Sequence, residues 1–208
     1  MTWLIVGIVV FFGIHLFPAN PSLREKLVHS IGELPYKGVF AALSFAGLAL
    51  MIKGMGATQY MAVWHPPVAA ATATAVFMAP ALILLVAMNF DNNIKRIVRH
   101  PMMWGVLLWS LSHLLAIGIG ATAMDGGSAD TVGNKYLPLV LFGSFAVYAL
   151  FYLYSAKQRA APKQPNSTKA AIKTTPIKRD VLAFVIGLIA YALLVAFHDT
   201  LFGVAVFF

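Results

Sequence analysis

Two histidines lie inside apolar stretches, where an imidazole is costly unless it is hydrogen-bonded, ligated or hydrated. His113 lies in the apolar run 102–124, and His15 lies in the run 1–23. At about 1.5 Å per helical residue, His113 is roughly 18 Å and His15 roughly 20 Å from the start of its run. Both imidazoles are therefore predicted to lie deep in a membrane at similar depths.

Two buried imidazoles on different helices are the axial ligands that bis-histidine haem b requires. Zinc and di-iron sites need three or four ligands, usually including carboxylates, and neither Glu25 nor Glu33 lies in a predicted span. Cysteine is absent, which excludes thiolate ligation and iron–sulfur clusters. Among metal centres, the residues therefore favour haem b, with His15 and His113 as ligands, over zinc and di-iron sites. The alternative is a cofactor-free protein in which neighbouring hydroxyl or carbonyl groups satisfy each imidazole.

Trp109 lies one helical turn before His113. With small residues such as Gly105 and Ala116, it forms one face of the predicted helix. A flat aromatic side chain among small residues suits a flat cofactor such as haem. It also suits ordinary packing between helices, so Trp109 is a candidate cofactor contact only.

The triplet Arg99-His100-Pro101 opens the span that contains His113. Pro101 fits the first turn of a helix, and Arg99 can reach lipid phosphate groups. His100 is expected at the membrane interface, with a proton-relay or gating role as the alternative. His198 is a further candidate, about 27 Å along the last helix and therefore near the outer boundary.

The rest of the chain positions these side chains. It has 208 residues, of which 60% are hydrophobic and 11% charged, whereas soluble proteins carry roughly a quarter charged residues. Long unbroken apolar runs predict helices, because strands of a membrane barrel would alternate. We therefore predict an all-α, polytopic transmembrane helix bundle of about six spans. They cover 1–23, 38–52, 68–90, 102–124, 136–154 and 181–197.

The spans predict three regions: a core of five spans (1–156), a basic cytoplasmic linker (157–180) and a final span with a short tail (181–208). Thirteen of the fifteen Lys and Arg residues follow the first, third or fifth span. The positive-inside rule places those loops in the cytoplasm and both termini on the non-cytoplasmic side. The net charge of +8 thus reflects topology and contact with membrane lipid. Nucleic-acid binding is not expected, because aromatic residues do not alternate with the basic ones.

Three groups of residues carry a family resemblance. They are His15-Leu16 with Pro21-Ser22-Leu23-Arg24-Glu25, Gly32-Glu33-Leu34-Pro35-Tyr36, and Arg99-His100-Pro101-Met102-Met103-Trp104-Gly105 with Leu108-Trp109-Ser110-Leu111-Ser112-His113. In these segments, which cover the N-terminal two thirds, the chain resembles the NnrU family. That family also includes the plant ζ-carotene isomerase.

The resemblance implies a multi-pass protein of the bacterial inner membrane with haem b between the residues matching His15 and His113. It further implies support of denitrification or nitrogen-oxide metabolism, with a redox partner. The alternative is a haem-dependent cis-trans isomerase acting on an apolar polyene. Ser110 departs from the isomerase, which has a Cys there proposed as an exchanging iron ligand, and Ser is a poor one. The third hypothesis is a cofactor-free scaffold or small transporter.

Overall fold

The computed structural model describes residues 2–56, 68–117, 137–159 and 175–202, and these residues form helices joined by short turns. No strand occurs in these ranges, which confirms the all-α class. The helices are α1 (Thr2–Leu16), α2 (Pro21–Ile31), α3 (Glu33–Gly56), α4 (Val68–Ala87), α5 (Ile94–Val98), α6 (Pro101–Ile117), α7 (Leu137–Arg159) and α8 (Ile177–Phe202).

One long apolar helix lies in each of the six predicted spans. Three described helical stretches are both long and apolar enough to cross a membrane: Glu33–Met55, Leu137–Gln158 and Ile177–Leu201. Helices α1 and α2 meet at 91° and would together make a fourth, while Thr72–Ala87 and Pro101–Ala116 are shorter apolar helices. The chain is thus a membrane protein by helix length and hydropathy. The number of six spans and the side of the termini stay predictions.

The predicted linker lies between two helices that extend into it. Helix α7 continues to Arg159, and α8 already begins at Ile177. Residues 160–174, which make up most of the linker, lie outside the described residues.

Local sequence explains where the first helices end. Helix α1 stops at Leu16 and passes into a 3-10 turn, Phe17–Ala19, because Pro18 has no N–H for the helical ladder. Asn20 then caps α2 by accepting a hydrogen bond from Leu23 N at 3.3 Å. Gly32 ends α2 with a φ of 87°, a conformation that glycine adopts without steric cost. Helix α1 therefore ends just before Pro18.

The described helices form two compact units. In the first unit, which holds α1 to α3 and α7 as far as Ser144, α1 packs along α3. In the second unit, which holds α4, α5, α6, the remainder of α7 from Phe145 and α8, α4 packs against both α6 and α8. The two units carry different candidate histidines, and each is described by itself below.

Glycines set the closest approaches between helices in both units. A Cβ at Gly47 of α3 would lie 2.8 Å from Phe11 N and 3.0 Å from Gly7 O on α1. A Cβ at Gly105 of α6 would lie 2.9 Å from Ala81 O on α4, and one at Gly187 of α8 would lie 2.6 Å from Ile83 Cα. Small residues at such contacts let helices pack backbone to backbone, which is the main way in which apolar helices associate in lipid.

A set of hydrogen bonds, here named the clamp, joins the turn after α4 to the start of α8. The Asp180 carboxylate accepts hydrogen bonds from Asn93 N and Asn93 Nδ2, both at 2.6 Å, and from Ile94 N at 3.3 Å. Asn93 also donates to Thr175 O at 2.8 Å and accepts from Thr175 N at 3.2 Å. The clamp therefore holds α5 beside the first turn of α8.

Candidate functional site

His113 is held by Trp109, the residue one turn before it on α6. The His113 Nδ1 atom lies 2.9 Å from the Trp109 carbonyl oxygen, and the two rings are 5.1 Å apart between centroids. A carbonyl oxygen only accepts hydrogen bonds, so Nδ1 carries the proton in this contact. In the neutral imidazole, Nε2 is then the nitrogen with the lone pair that a metal binds.

The Trp109 ring connects His113 to helix α7. Its indole meets the Phe145 ring edge to face, with centroids 5.2 Å apart and planes at 84°. Below this contact, Leu107 of α6 packs with Ala146 and Ala149 of α7 in a small apolar core. Trp109 is therefore positioned by packing on both sides, and it limits the orientations open to the imidazole.

His15 has a closely similar environment in the first unit. Its Nδ1 atom lies 2.7 Å from the carbonyl oxygen of Phe11, again four residues earlier. The Phe11 ring stacks on the imidazole at 4.1 Å and 25°, and Phe40 of α3 contacts it at 5.1 Å. Both candidate histidines thus share one arrangement: an aromatic residue at position i−4 supplies the carbonyl for Nδ1 and a ring against the imidazole.

Ser110 and Ser112 flank this arrangement on α6, and both are buried. Ser110 is 0% exposed and donates its hydroxyl to Val106 O at 2.8 Å, within the same helix. The Ser112 carbonyl accepts a hydrogen bond from Thr74 Oγ1 of α4 at 3.0 Å, whereas its own hydroxyl has no hydrogen-bond partner in the described part of the chain. The predicted single face of α6 is thus divided: Gly105 and Ser112 meet α4, and Trp109 meets α7.

The other candidate residues lie at different places in the second unit. His198 on α8 lies in the neighbourhood of His113 in the same unit. His100 contacts the Tyr152 ring of α7 at 5.8 Å, edge to face. Arg99 is exposed and ends α5 with a φ of 52°. The second unit therefore brings His113, Trp109 and His198 together, and it places His100 and Arg99 at the start of α6.

Sequence reasoning missed several side chains around these histidines. Phe11 was detectable, because it precedes His15 by four residues as Trp109 precedes His113. Phe40, Phe145 and Thr74 come from other helices, and no local pattern marks them. The described residues contain no group of three or more His, Cys, Asp or Glu side chains suited to hold a metal ion.

Comparison with protein-family models gives a match over residues 3–125 and 132–206, to the model described as NnrU protein. The chain belongs to the NnrU family. Comparisons with curated proteins and with solved structures found no match.

Membership of the NnrU family extends beyond the segments on which the resemblance was based. Those segments covered the N-terminal two thirds of the chain, whereas the family match continues to residue 206 and includes the last helix with His198. His15, Trp109, His113 and His198 all lie within matched residues. Functional experiments should therefore use the whole NnrU-type chain, including α8.

Proposed function

We propose that this NnrU-family protein binds haem b in the bacterial inner membrane through the imidazoles of His113 and His15. The observation that carries the proposal is the arrangement shared by the two histidines. In each, Nδ1 donates to the carbonyl oxygen of an aromatic residue four positions earlier, at 2.9 Å and 2.7 Å. A histidine that ligates a metal commonly donates its other ring nitrogen in this way, which makes the ligating nitrogen more basic.

The donor set fits haem. Haem b brings its own ring nitrogens, so few protein ligands are needed to hold it. The imidazoles of His113 and His15 would supply those ligands without a larger cluster of side chains. When bound between two imidazoles, haem supplies one-electron transfer between its ferric and ferrous states.

The protein's own residues have separate tasks in this proposal. The carbonyl oxygens of Trp109 and Phe11 hold the Nδ1 protons and orient the rings. The aromatic side chains beside them pack against the imidazoles and limit their rotation. A role in nitrogen-oxide metabolism is supported by membership of the NnrU family, and growth on nitrite or nitric oxide by a deletion strain tests it.

A polyene isomerase is the second candidate for the same haem protein, and Ser110 weighs against it. The Ser110 hydroxyl is engaged with Val106 O and stands where the resembled isomerase has a Cys. A ζ-carotene conversion assay in a carotenoid-producing host decides between the two candidates. Conversion to the trans product supports the isomerase, and retention of only the cis substrate argues against it.

Reduced-minus-oxidised spectra of the purified full chain test haem binding. Two imidazole ligands give low-spin haem with sharp α and β bands. His15→Ala and His113→Ala should each abolish these bands or convert them to a high-spin spectrum. His29→Ala is the matched control, because His29 is exposed on α2 and should leave the spectrum unchanged.

His198→Ala belongs in the same experiment. His198 lies near His113, so its removal should shift the reduction potential while the low-spin bands persist. Loss of the bands in this variant, with the His15→Ala bands intact, would identify His198 as the second ligand in place of His15. Correctly folded protein without haem under all conditions contradicts the proposal.

A further inference from the structure

We propose that a basic surface in the second unit binds the phosphate headgroup of anionic phospholipid and that the clamp assembles this surface. The basic surface consists of Lys95, Arg96, Arg99, Lys178 and Arg179. The proposal is independent of haem. It follows from the placement of charge, from the backbone at Arg99 and from exposed apolar side chains among the basic ones.

Two distant segments contribute to the basic surface, and the clamp brings them together. Asn93 and Asp180 are 87 residues apart in the chain and share two hydrogen bonds of 2.6 Å. Helix α5 follows Asn93 and is about 7.5 Å long at 1.5 Å per residue, so Arg99 lies within roughly 10 Å of the clamp. Lys178 and Arg179 immediately precede Asp180 on the first turn of α8.

The five basic side chains of this surface outnumber the two neighbouring carboxylates, Asp91 and Asp180, so its net charge is positive. Arg96 donates to the neutral side-chain amide of Asn93, and Arg179 donates to the Asp91 carbonyl. The ion pair found within the described ranges is Lys37–Glu33, in the first unit. Asp180 uses its carboxylate for backbone and amide N–H groups of the clamp. The surface therefore offers cationic groups to an anionic ligand.

Arg99 has a backbone conformation that favours glycine. Its φ of 52° and ψ of −47° lie outside the regions that L-residues occupy easily. Pro101 separately keeps His100, the residue directly before it, out of helical geometry at the entry to α6. Glycine would remove the steric cost, so we attribute the presence of arginine to its exposed guanidinium.

The apolar residues beside these charges point to a membrane surface as the partner. Ile97 is 82% exposed on α5, and Ile177 is 77% exposed at the start of α8. Exposed isoleucines that alternate with lysine and arginine are typical of segments that lie in the headgroup region, with the aliphatic groups toward the acyl chains. A soluble phosphate would interact with the charged groups but would make no apolar contact with the isoleucines.

Native mass spectrometry of the detergent-solubilised full chain tests the proposal. Bound lipid is counted during titration with palmitoyl-oleoyl phosphatidylglycerol or phosphatidylcholine. We expect tighter binding of phosphatidylglycerol, and Lys178→Gln with Arg179→Gln should weaken it by about fivefold per charge removed. The matched control is Arg24→Gln with Lys26→Gln on α2, which removes the same charge elsewhere and should change binding by less than twofold.

Two single variants separate assembly of the surface from net charge. Asp180→Ala makes the chain more positive but breaks the clamp, so we expect phosphatidylglycerol to bind several-fold more weakly. Arg99→Gly should weaken binding about fivefold while the protein keeps or gains thermal stability. Equal binding of both lipids, equal loss in the α2 control, or tighter binding by Asp180→Ala would overturn the proposal.

Discussion

Trp109 contacts His113 both through its backbone and through its ring. Its carbonyl oxygen lies 2.9 Å from His113 Nδ1, and its indole ring lies 5.1 Å from the imidazole. The backbone contact survives substitution of Trp109, whereas the ring contact does not. This difference allows the two contributions to be measured separately.

Replacing Trp109 with Ala should destabilise the second unit, because the indole packs between His113 and Phe145. We expect a loss of about 3 kcal/mol in the free energy of unfolding, as for other large-to-small substitutions at packed positions. Trp109→Phe should lose less, since an aromatic ring still reaches Phe145. Denaturant titration in detergent measures both, and equal losses would contradict the packing role of the ring.

Close contact at Gly47 should make the α1–α3 packing sensitive to a single methyl group. Gly47→Ala places a Cβ against the Phe11 and Gly7 backbones, which cannot move aside as a flexible side chain would. We expect a destabilisation of about 1–3 kcal/mol. The carbonyl of Phe11 also holds His15, so the orientation of that imidazole should change as well.

Gly13→Ala is the control for the Gly47 variant. Gly13 lies on α1, where an added Cβ meets nothing within 4 Å. Alanine favours the helix there by up to about 1 kcal/mol. Thermal unfolding of the two variants should therefore shift in opposite directions, and a shared destabilisation would argue against the contact at Gly47.

Asn92 should be the most sensitive amide in the turn after α4. It is 2% exposed, donates to Ala87 O and Phe90 O at 2.7 and 2.8 Å, and accepts from Lys95 N at 2.9 Å. Asn92→Ala leaves buried groups without partners, which costs about 1–3 kcal/mol. Asn92→Asp should cost more, because a carboxylate would face two carbonyl oxygens.

Asn89→Ala provides the comparison for Asn92 in the same experiment. Asn89 also donates to two carbonyl groups of α4, but it is exposed, so water can replace its hydrogen bonds. Its loss should lower the free energy of unfolding by less than about 1 kcal/mol. Similar losses in the free energy of unfolding at both positions would show that burial does not make the hydrogen bonds of Asn92 more important for stability.

Ser112→Ala should stabilise the protein or leave its stability unchanged. The Ser112 hydroxyl is buried and has no partner in the described ranges, whereas the Ser110 hydroxyl donates to Val106 O. Removing an unsatisfied buried hydroxyl can gain about 1–2 kcal/mol, and removing a satisfied one gains nothing. The free energies of unfolding of Ser112→Ala and Ser110→Ala, measured side by side, test this prediction. We expect no loss for Ser112→Ala and a loss for Ser110→Ala.

Local features of the helices could be predicted from the sequence alone. The six apolar runs each contain one long helix, and Pro18 ends the first of them, because hydropathy and missing N–H groups act within a few residues. The structure makes the second predicted span, 38–52, part of a longer helix, Glu33–Gly56. The added ends contain the charged residues Glu33, Lys37 and Lys53, and hydropathy alone does not reveal that these ends remain helical.

The candidate histidines were likewise identified from sequence, since an imidazole in an apolar run needs a partner. That each partner is an aromatic residue at i−4 follows from helix geometry, and it could have been predicted. Two further relationships could not have been predicted: the contact of His15 with Phe40 and the closeness of His198 to His113. They depend on which faces of separate helices meet.

By itself, the amino-acid sequence determined the helical class, the approximate position of each apolar helix and the positions of the two histidines along their own helices. Hydropathy and the helical repeat are properties of neighbouring residues, so they can be read without coordinates. Only the tertiary structure decided that Thr74 bonds to Ser112, that Trp109 packs on Phe145 and that Asn93 bonds to Asp180. Apolar helices offer many nearly equivalent faces, and the choice among them depends on close packing at glycines and on a few hydrogen bonds between distant residues.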